Sequence, residues 1–175
     1  MKNGSAASNR QKIVQNVAVL GVLSALAVVS AMWLTVRVGQ FIKLSPVFLV
    51  VALAGYLYGV WGACLVAVIS DVLQSLLAGL GFSPLILVVN VFTAVIFGWF
   101  LHNKNRTLNI VMAVLLTQVV GSLCLNTLAL SFHFGIPIFP MIYWRLLQTA
   151  ILIPIEILVL WLVLVVLKLP NRLKR

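Results

Sequence analysis

Three charged side chains lie inside apolar segments that are long enough to cross a bilayer. Asp71 and Glu156 are the only acidic residues in the chain of 175, and Arg145 is the third charge. One unpaired charge at the centre of a bilayer costs about 2.5–3.5 kcal/mol on insertion scales. Such residues therefore usually face a partner, a cavity or a bound solute. The pattern predicts a membrane protein with a polar interior that handles a polar solute.

Other polar residues of the apolar segments recur three or four positions apart, which places each group on one face of a helix. The groups are Asp71, Gln74 and Ser75; Asn90 and Thr93; Gln118, Ser122, Asn126 and Thr127; and Arg145, Gln148 and Thr149. Polar faces at matched depth predict a shared ligand cavity that opens outward. The alternative is that they form interhelical hydrogen bonds and a structural Asp71–Arg145 pair, with no ligand.

Glu156 is predicted to have a structural role. It follows Pro154, which leaves a backbone carbonyl of the preceding turn without its helical hydrogen bond. We expect Glu156 to pair with that carbonyl or with a partner subunit.

The composition is that of an integral membrane protein. The chain is 63% hydrophobic and 8% charged, whereas a soluble domain has about 25% charged residues. Its mean hydropathy is +1.21. The net charge of +10 comes mainly from the tails and one short loop, without interleaved aromatic residues. Such charges indicate the orientation of the chain in the membrane and contact with anionic lipid rather than binding of nucleic acid.

Cys64 and Cys124 have no metal-binding spacing and are predicted to be small hydrophobic residues.

Glycine, proline and polar residues divide a membrane domain, residues 13–167, into six predicted transmembrane helices. Basic tails flank it at 1–12, predicted to be flexible, and at 168–175. The second span is short and could instead join the third in a kinked arrangement with five spans. The six spans are 13–35, 46–58, 62–78, 85–101, 108–130 and 141–167.

The distribution of positive charge favours six spans over five. With six, nine lysines and arginines share the side of both tails and the 102–107 loop, and only Arg37 and Lys43 lie opposite. Positive residues concentrate on the cytoplasmic side, so both termini are predicted to be cytoplasmic. Five spans would split this bias. The outward loops would be 36–45, 79–84 and 132–140.

The first span has a face of small residues. Gly21 and Ala25 are four positions apart, with Ser24 and Ala31 close by. Such a face lets another helix approach closely. The spacing leaves open whether that helix belongs to this chain or to another subunit.

Two regions resemble the folate-family substrate-binding (S) components of energy-coupling factor (ECF) vitamin transporters. ALAGYLYGVWG at 52–62, running on to Asp71, is similar to the second and third helices of that family. LNTLAL at 125–130, RLLQ at 145–148 and IPI at 153–155 are similar to its fifth and sixth helices. The second region is the more specific, and both stand in the family's order.

The resemblance implies a multi-pass subunit of a bacterial plasma membrane that binds a vitamin from outside. It would associate with a transmembrane coupling subunit and two cytoplasmic ATPases. ATP would be used by those partners and no cofactor by this chain, which has no GxxxxGK[ST] phosphate-binding motif. In the family a small-residue motif on the first helix meets the coupling subunit, and Gly21 and Ala25 stand at the matching position.

The sequence departs from the family pattern at two places that would line or gate the pocket. Met32 and Trp33 replace an Arg-Phe pair at the end of the first helix. Residues 82–87 replace a Phe-Pro-Gly-Phe-Thr-Leu stretch. Arg37 is a candidate substitute for the missing arginine.

The predicted ligand is folate or a close pterin-containing relative, and the alternative is a different vitamin. Asp71 would accept two bonds from the amidine-like edge of the pterin ring, and cationic residues would bind the ligand carboxylates. The cationic residues are Arg37, Lys43 and Arg145. The remaining candidates are Gln74, Asn90, Asn126 and Gln148 for polar contacts and Trp33, Phe82 or Tyr143 for stacking.

Other classes of protein fit the sequence less well. An intramembrane enzyme needs a nucleophile–base pair or a metal cluster, but His102 and His133 lie in loops predicted on opposite sides, and no catalytic motif occurs. A channel would show repeated polar rings or broken helices, and neither is evident in the sequence. A small ion-coupled secondary transporter remains an alternative, with Asp71 and Glu156 as the acidic candidates for its ion site.

Overall fold

The structure, a computed structural model, describes residues 3–38, 42–78, 83–102, 107–128, 131 and 138–166. Long apolar runs form helices because a bilayer offers the backbone no hydrogen-bond partners, so each segment must bond internally. Five of these helical segments are long and apolar enough to cross a membrane, which confirms the helical membrane class. The helices are α1 (Asn3–Trp33), α2 (Val47–Ala78), α3 (Pro84–Leu101), α4 (Thr107–Leu116) and α5 (Ile138–Trp161).

Two of the helices continue as π-helical stretches. α4 runs into Thr117–Leu125, and α5 runs into Leu162–Val166. At the end of the first stretch the Asn126 N–H donates to the carbonyl of Gly121, five residues back. π-helical turns are rare and occur frequently at functional sites. The first stretch contains part of a polar group that the sequence analysis placed on an ordinary α-helix.

A short antiparallel ladder, absent from the sequence predictions, connects α1 to α2. β1 (Val36–Val38) pairs with β2 (Ile42–Leu44), and Arg37 stands opposite Lys43. The β-branched residues of both strands favour this conformation. The ladder therefore fixes two of the predicted cationic residues at paired positions.

α2 has a sharp kink at Gly59. This residue has φ 69° and ψ −157°, a region open essentially only to glycine. Eight residues of straight α-helix rise about 12 Å, yet a Cβ placed on Gly62 would lie 3.4 Å from the carbonyl oxygen of Ala54. The predicted turn at 59–62 is therefore present, and α2 consists of two arms, residues 47–58 and 60–78.

Glycines allow α3 to pack directly against both arms. A Cβ on Gly98 would lie 2.5 Å from the Cα of Val60, and one on Gly55 would lie 3.0 Å from the backbone nitrogen of Gly98. His102 lies beside the turn, with its Nδ1 3.2 Å from a Cβ on Gly59. The turn of α2 is thus level with the carboxyl end of α3.

The core lies between α2, including its first arm, and the neighbouring helices α1 and α3, and buried side chains of α4 and α5 extend it. Residues 50–57 are all buried, so protein rather than lipid surrounds this short arm. The largest fully buried side chains of the described residues come from several helices: Val66, Phe97, Leu101, Ile110, Val114, Leu160 and Leu164.

The ends of the helices agree with most of the predicted spans. The candidate spans Ile13–Trp33, Pro84–Leu101, Thr107–Leu128 and Ile142–Val165 match four of them closely. α1 itself begins at Asn3, well before the predicted first span. Large parts of the predicted outward loops 79–84 and 132–140, of the inner loop 102–107 and of the tail 168–175 lie outside the described residues.

Candidate functional site

Asp71 and Asn90 form a polar contact between the second arm of α2 and α3. The Asn90 side-chain Nδ2 donates to Asp71 Oδ1 at 2.7 Å, and both residues are half-buried. The contact links two of the predicted ligand residues, which come from different polar groups in the sequence. A carboxylate that accepts this bond is a strong acceptor for further donors, and the Asn90 carbonyl adds a second acceptor.

Glu156 has a partner that the sequence analysis did not predict. The Gln118 Nε2 donates to Glu156 Oε1 at 2.6 Å. The two side chains are only 6% and 4% exposed. Glu156 was expected to pair with a carbonyl near Pro154 or with another subunit. Its partner is instead the side chain of Gln118. A buried carboxyl and a buried amide each satisfy a group of the other, which lowers the desolvation cost for both.

This contact also sets the register between α5 and the segment formed by α4 and its π-helical continuation. Residues 118–128 rise at most about 15 Å and residues 138–156 about 27 Å. A parallel arrangement would require ten residues to cover about 42 Å, beyond their extended reach of about 35 Å. The two spans are therefore antiparallel. Because the segments are antiparallel, moving forward from Gln118 to Thr127 corresponds to moving back along α5 from Glu156. Thr127 is therefore level with residues 147–149.

A buried polar face runs along α5 near that level. Arg145, Gln148 and Thr149 are 8%, 5% and 6% exposed, as the predicted i, i+3, i+4 spacing requires. The opposite face carries exposed apolar side chains such as Leu146 and Leu147. This inside-polar arrangement is typical of a membrane helix that borders a polar site.

Several buried polar atoms at this level have no hydrogen-bond partner among the described residues. They are Arg145 Nε, Thr149 Oγ1 and Thr127 Oγ1. Buried polar groups in proteins are almost always hydrogen-bonded, so each orphan atom requires an explanation. A bound polar solute is one such explanation.

The other predicted ligand residues have different settings. Gln74 and Asn126 are half-buried. Trp33 is 86% exposed at the end of α1. Tyr143 is also exposed and packs edge-on against Trp144, with ring centroids 6.2 Å apart. Phe82, another stacking candidate, lies outside the described residues.

The small residues of α1 divide between two faces. Gly21 and Ala25 are exposed, and a Cβ on Gly21 would have nothing within 4 Å. Ser24 and Ala31 face inward, and the Ser24 hydroxyl donates to the Leu20 carbonyl at 2.9 Å. The Gly21–Ala25 face therefore points away from this chain's own helices.

The fold and these contacts define a polytopic helical membrane protein with buried polar groups between its spans. Residues 15–171 match the family described as ECF transporter, substrate-specific component. The chain belongs to this family, whose members are integral membrane subunits that bind transported substrates and are not enzymes. Comparison with curated protein sequences finds no significant match.

The fold is also similar to a solved structure. A crystal structure described as FolT bound with folic acid superposes with a TM-score of 0.78 at 26% sequence identity. The match covers 84% of this chain and 90% of that chain. The predicted resemblance to folate-family S components is therefore confirmed at the level of family and fold.

Proposed function

We propose that this chain binds folate, or a close pterin-containing relative, from outside the cell and delivers it to an ECF transport complex. The observation that carries the proposal is the match over most of both chains to a protein crystallised with folic acid. The Asp71–Asn90 pair and the buried polar groups near Arg145 support it. A folate needs hydrogen-bonding partners for its flat ring and a cationic partner for its anionic tail.

The ligand residues have distinct proposed roles. Asp71 accepts bonds from the amidine-like edge of the pterin, and Asn90, held by its bond to Asp71, contacts the neighbouring ring atoms. Other polar ring atoms bind Gln74, Asn126 and Gln148. Trp33 or Tyr143 stacks on the ring after moving over it. Arg37 and Lys43, paired across β1 and β2, attract the anionic ligand at the outer mouth.

The proposed topology has six crossings with both termini in the cytoplasm. The sharp kink at Gly59 supports it, since it brings the two arms of α2 close together, as two separate crossings require. Exposed Trp61 and Trp99 also support it, because tryptophan concentrates at membrane interfaces and Trp61 would otherwise face lipid near the bilayer centre. In this topology the turn of α2 and the end of α3 form the cytoplasmic surface.

The proposed partners are a transmembrane coupling subunit and two cytoplasmic ATPases. The exposed Gly21–Ala25 face supports a helix contact, since small residues without neighbours allow close approach of another helix. ATP is used by the partner ATPases and no cofactor by this chain.

Uptake in a reconstituted system tests this function. Vesicles holding this chain, a coupling subunit and the two ATPases should accumulate labelled folic acid when ATP is enclosed on the cytoplasmic side. Gly21→Trp should abolish uptake while the isolated subunit still binds folate. The matched control is Leu108→Trp, which introduces the same side chain at an exposed position of α4. Uptake by this chain alone, driven by a proton gradient, would instead favour a secondary transporter.

A further inference from the structure

Gln118 and Glu156 place an amide and a carboxyl group near the middle of the membrane domain. Each residue lies nine or more positions from either end of its candidate span, Thr107–Leu128 or Ile142–Val165. Nine helical residues rise about 14 Å. Both side chains are almost fully buried. The two groups are therefore far from the water at either membrane surface.

No arginine or lysine among the described side chains lies beside Glu156. The arginines are Arg10, exposed near the start of α1, and Arg145, eleven residues and about 16 Å back along α5. The segments packed against α5 add Asp71, a second negative charge, and Lys43 of β2, which the proposed topology places outside the membrane. The other titratable groups of α2, α4 with its π-helical continuation, and α5 are neutral thiols and phenols: Tyr56, Tyr58, Cys64, Cys124 and Tyr143. A carboxylate buried without a cation is so costly that the group takes up a proton instead.

The amide of Gln118 lacks a donor that a protonated carboxyl group would supply. Its Nε2 donates to Glu156 Oε1 at 2.6 Å, but its buried Oε1 has no hydrogen-bond partner among the described residues. A carboxylate only accepts hydrogen bonds, whereas a carboxylic acid has one O–H donor. A proton on Glu156 Oε2 lets that oxygen donate to Gln118 Oε1 while the first bond is kept. One proton therefore removes both the buried charge and the unsatisfied acceptor.

The same conclusion follows if the amide is turned over. The nitrogen and oxygen of a side-chain amide have nearly the same shape and can exchange places. The turned amide would put Gln118 Oε1 2.6 Å from Glu156 Oε1. Two oxygens without a hydrogen between them repel at this separation, whereas it is an ordinary length for an O–H···O bond. Both orientations of the amide therefore need a proton on Glu156.

We propose that Glu156 binds a proton and holds it at neutral pH, forming a neutral acid–amide pair with Gln118 in the middle of the membrane domain. The pair joins α5 to the π-helical continuation of α4 without placing a charge in the bilayer. Asp71 and Arg145 are then the charges described within the spans, and they balance. A protonated Glu156 is also not the free carboxylate that an ion-coupled carrier would need. The inference goes beyond the proposed function, because it does not depend on which vitamin binds.

A direct test is available because Glu156 is the only glutamate of the chain. Cell-free synthesis with glutamate that carries a heavy carbon isotope in its side-chain carboxyl group changes the infrared spectrum at this residue alone. At neutral pH the detergent-purified, ligand-free chain should show the carbonyl band of a protonated carboxylic acid, and labelling should shift that band to lower frequency. If labelling shifts only the bands of an ionised carboxylate, the proposal is overturned.

Substitution of Gln118 tests the partner of the proton. Gln118→Leu removes the acceptor, so the acid band of Glu156 should move to higher frequency, as expected when a carboxylic acid loses a hydrogen bond. Gln15→Leu, at an exposed position of α1, is the matched control and should leave the band unchanged. A band that does not move in Gln118→Leu would overturn the acid–amide pair.

The pH dependence of chemical unfolding provides a second measurement. The folded protein holds the proton of Glu156, whereas the unfolded chain releases it above about pH 4.3, the ordinary pKa of a glutamate. The stability of wild type should therefore fall relative to Glu156→Gln between about pH 5 and 7, by up to about tenfold in the unfolding constant per pH unit. Parallel pH profiles would contradict the bound proton.

A metal cation is the competing occupant of this site. If sodium chloride stabilises wild type more than choline chloride does, and Glu156→Gln shows no such difference, Glu156 binds sodium and the proposal fails. We expect the two salts to act equally on both proteins. None of these measurements uses a vitamin, so their failure would leave the proposed folate function standing.

Discussion

At the scale of single residues, the two acidic side chains have different environments and therefore different expected roles. Asp71 is half-buried and bonded to an asparagine that is itself a ligand candidate. Glu156 is almost fully buried against Gln118, about three turns of α5 below Arg145. We therefore propose ligand contact for Asp71 and helix packing for Glu156, and the two variants below separate these roles.

Replacing Asp71 by Asn should weaken folate binding at least tenfold without unfolding the protein. The amide oxygen can still accept the Asn90 bond, but the charge and one acceptor for the pterin edge are lost. An unpaired buried donor typically costs about 1–3 kcal/mol. Calorimetry measures the affinity, and Glu156→Gln is the control because it alters the other carboxyl group. Unchanged affinity in Asp71→Asn would remove Asp71 from the site.

Replacing Glu156 by Leu should lower the stability of the empty protein, by about 1–3 kcal/mol, because the buried Gln118 amide loses its acceptor. Glu156→Gln should retain nearly wild-type stability, since its carbonyl accepts the same bond. The double variant Gln118→Leu, Glu156→Leu should recover part of the loss. Thermal unfolding in detergent provides the comparison. Equal melting temperatures for wild type and Glu156→Leu would show that the pair contributes little.

At the scale of elements, the packing of α2 against α3 depends on glycine at close approaches. Gly98→Ala should destabilise the protein strongly, because its Cβ would lie 2.5 Å from the backbone of Val60. Gly21→Ala is the matched control, since nothing lies within 4 Å of its Cβ and alanine favours a helix. Melting temperatures of the two variants should differ clearly. A Gly98→Ala protein as stable as the control would contradict the close helix crossing.

Most elements were predictable because the period and length of apolar runs are local signals. The span limits, the turn at Gly59 and the buried face of Arg145, Gln148 and Thr149 follow from such signals. The Gln118–Glu156 contact was not predictable, because it depends on the register of two helices that a single sequence does not define. The β1–β2 ladder was missed because three-residue strands carry too little periodicity.

The π-helical stretch Thr117–Leu125 was also missed, for a different reason. Its defining bond, from the Asn126 N–H to the Gly121 carbonyl, is a backbone feature without a side-chain signature. Among the predicted polar residues of that span, Gln118 pairs with Glu156. The helical spacing therefore identified the polar residues of this span but did not predict which residue Gln118 contacts.

At the scale of the whole molecule, the proposed six crossings can be tested by cysteine labelling in a background without Cys64 and Cys124. Cysteines at Trp61 and Asn105 should react only with reagents that reach the cytoplasmic side, because the turn of α2 and the 102–107 loop share that side. In a chain with five crossings, position 61 would lie within the bilayer and resist labelling. Labelling of position 105 from outside intact cells would contradict the proposed topology.

The central claim is that this family member binds folate, and calorimetry on the purified subunit tests it most directly. Folic acid and 5-formyltetrahydrofolate are titrated separately, with pantothenate as the control vitamin. The account predicts saturable heat at one folate per chain and none with pantothenate. No heat with either folate, together with clear binding of pantothenate, would contradict the folate assignment and leave a substrate-binding subunit for a different vitamin.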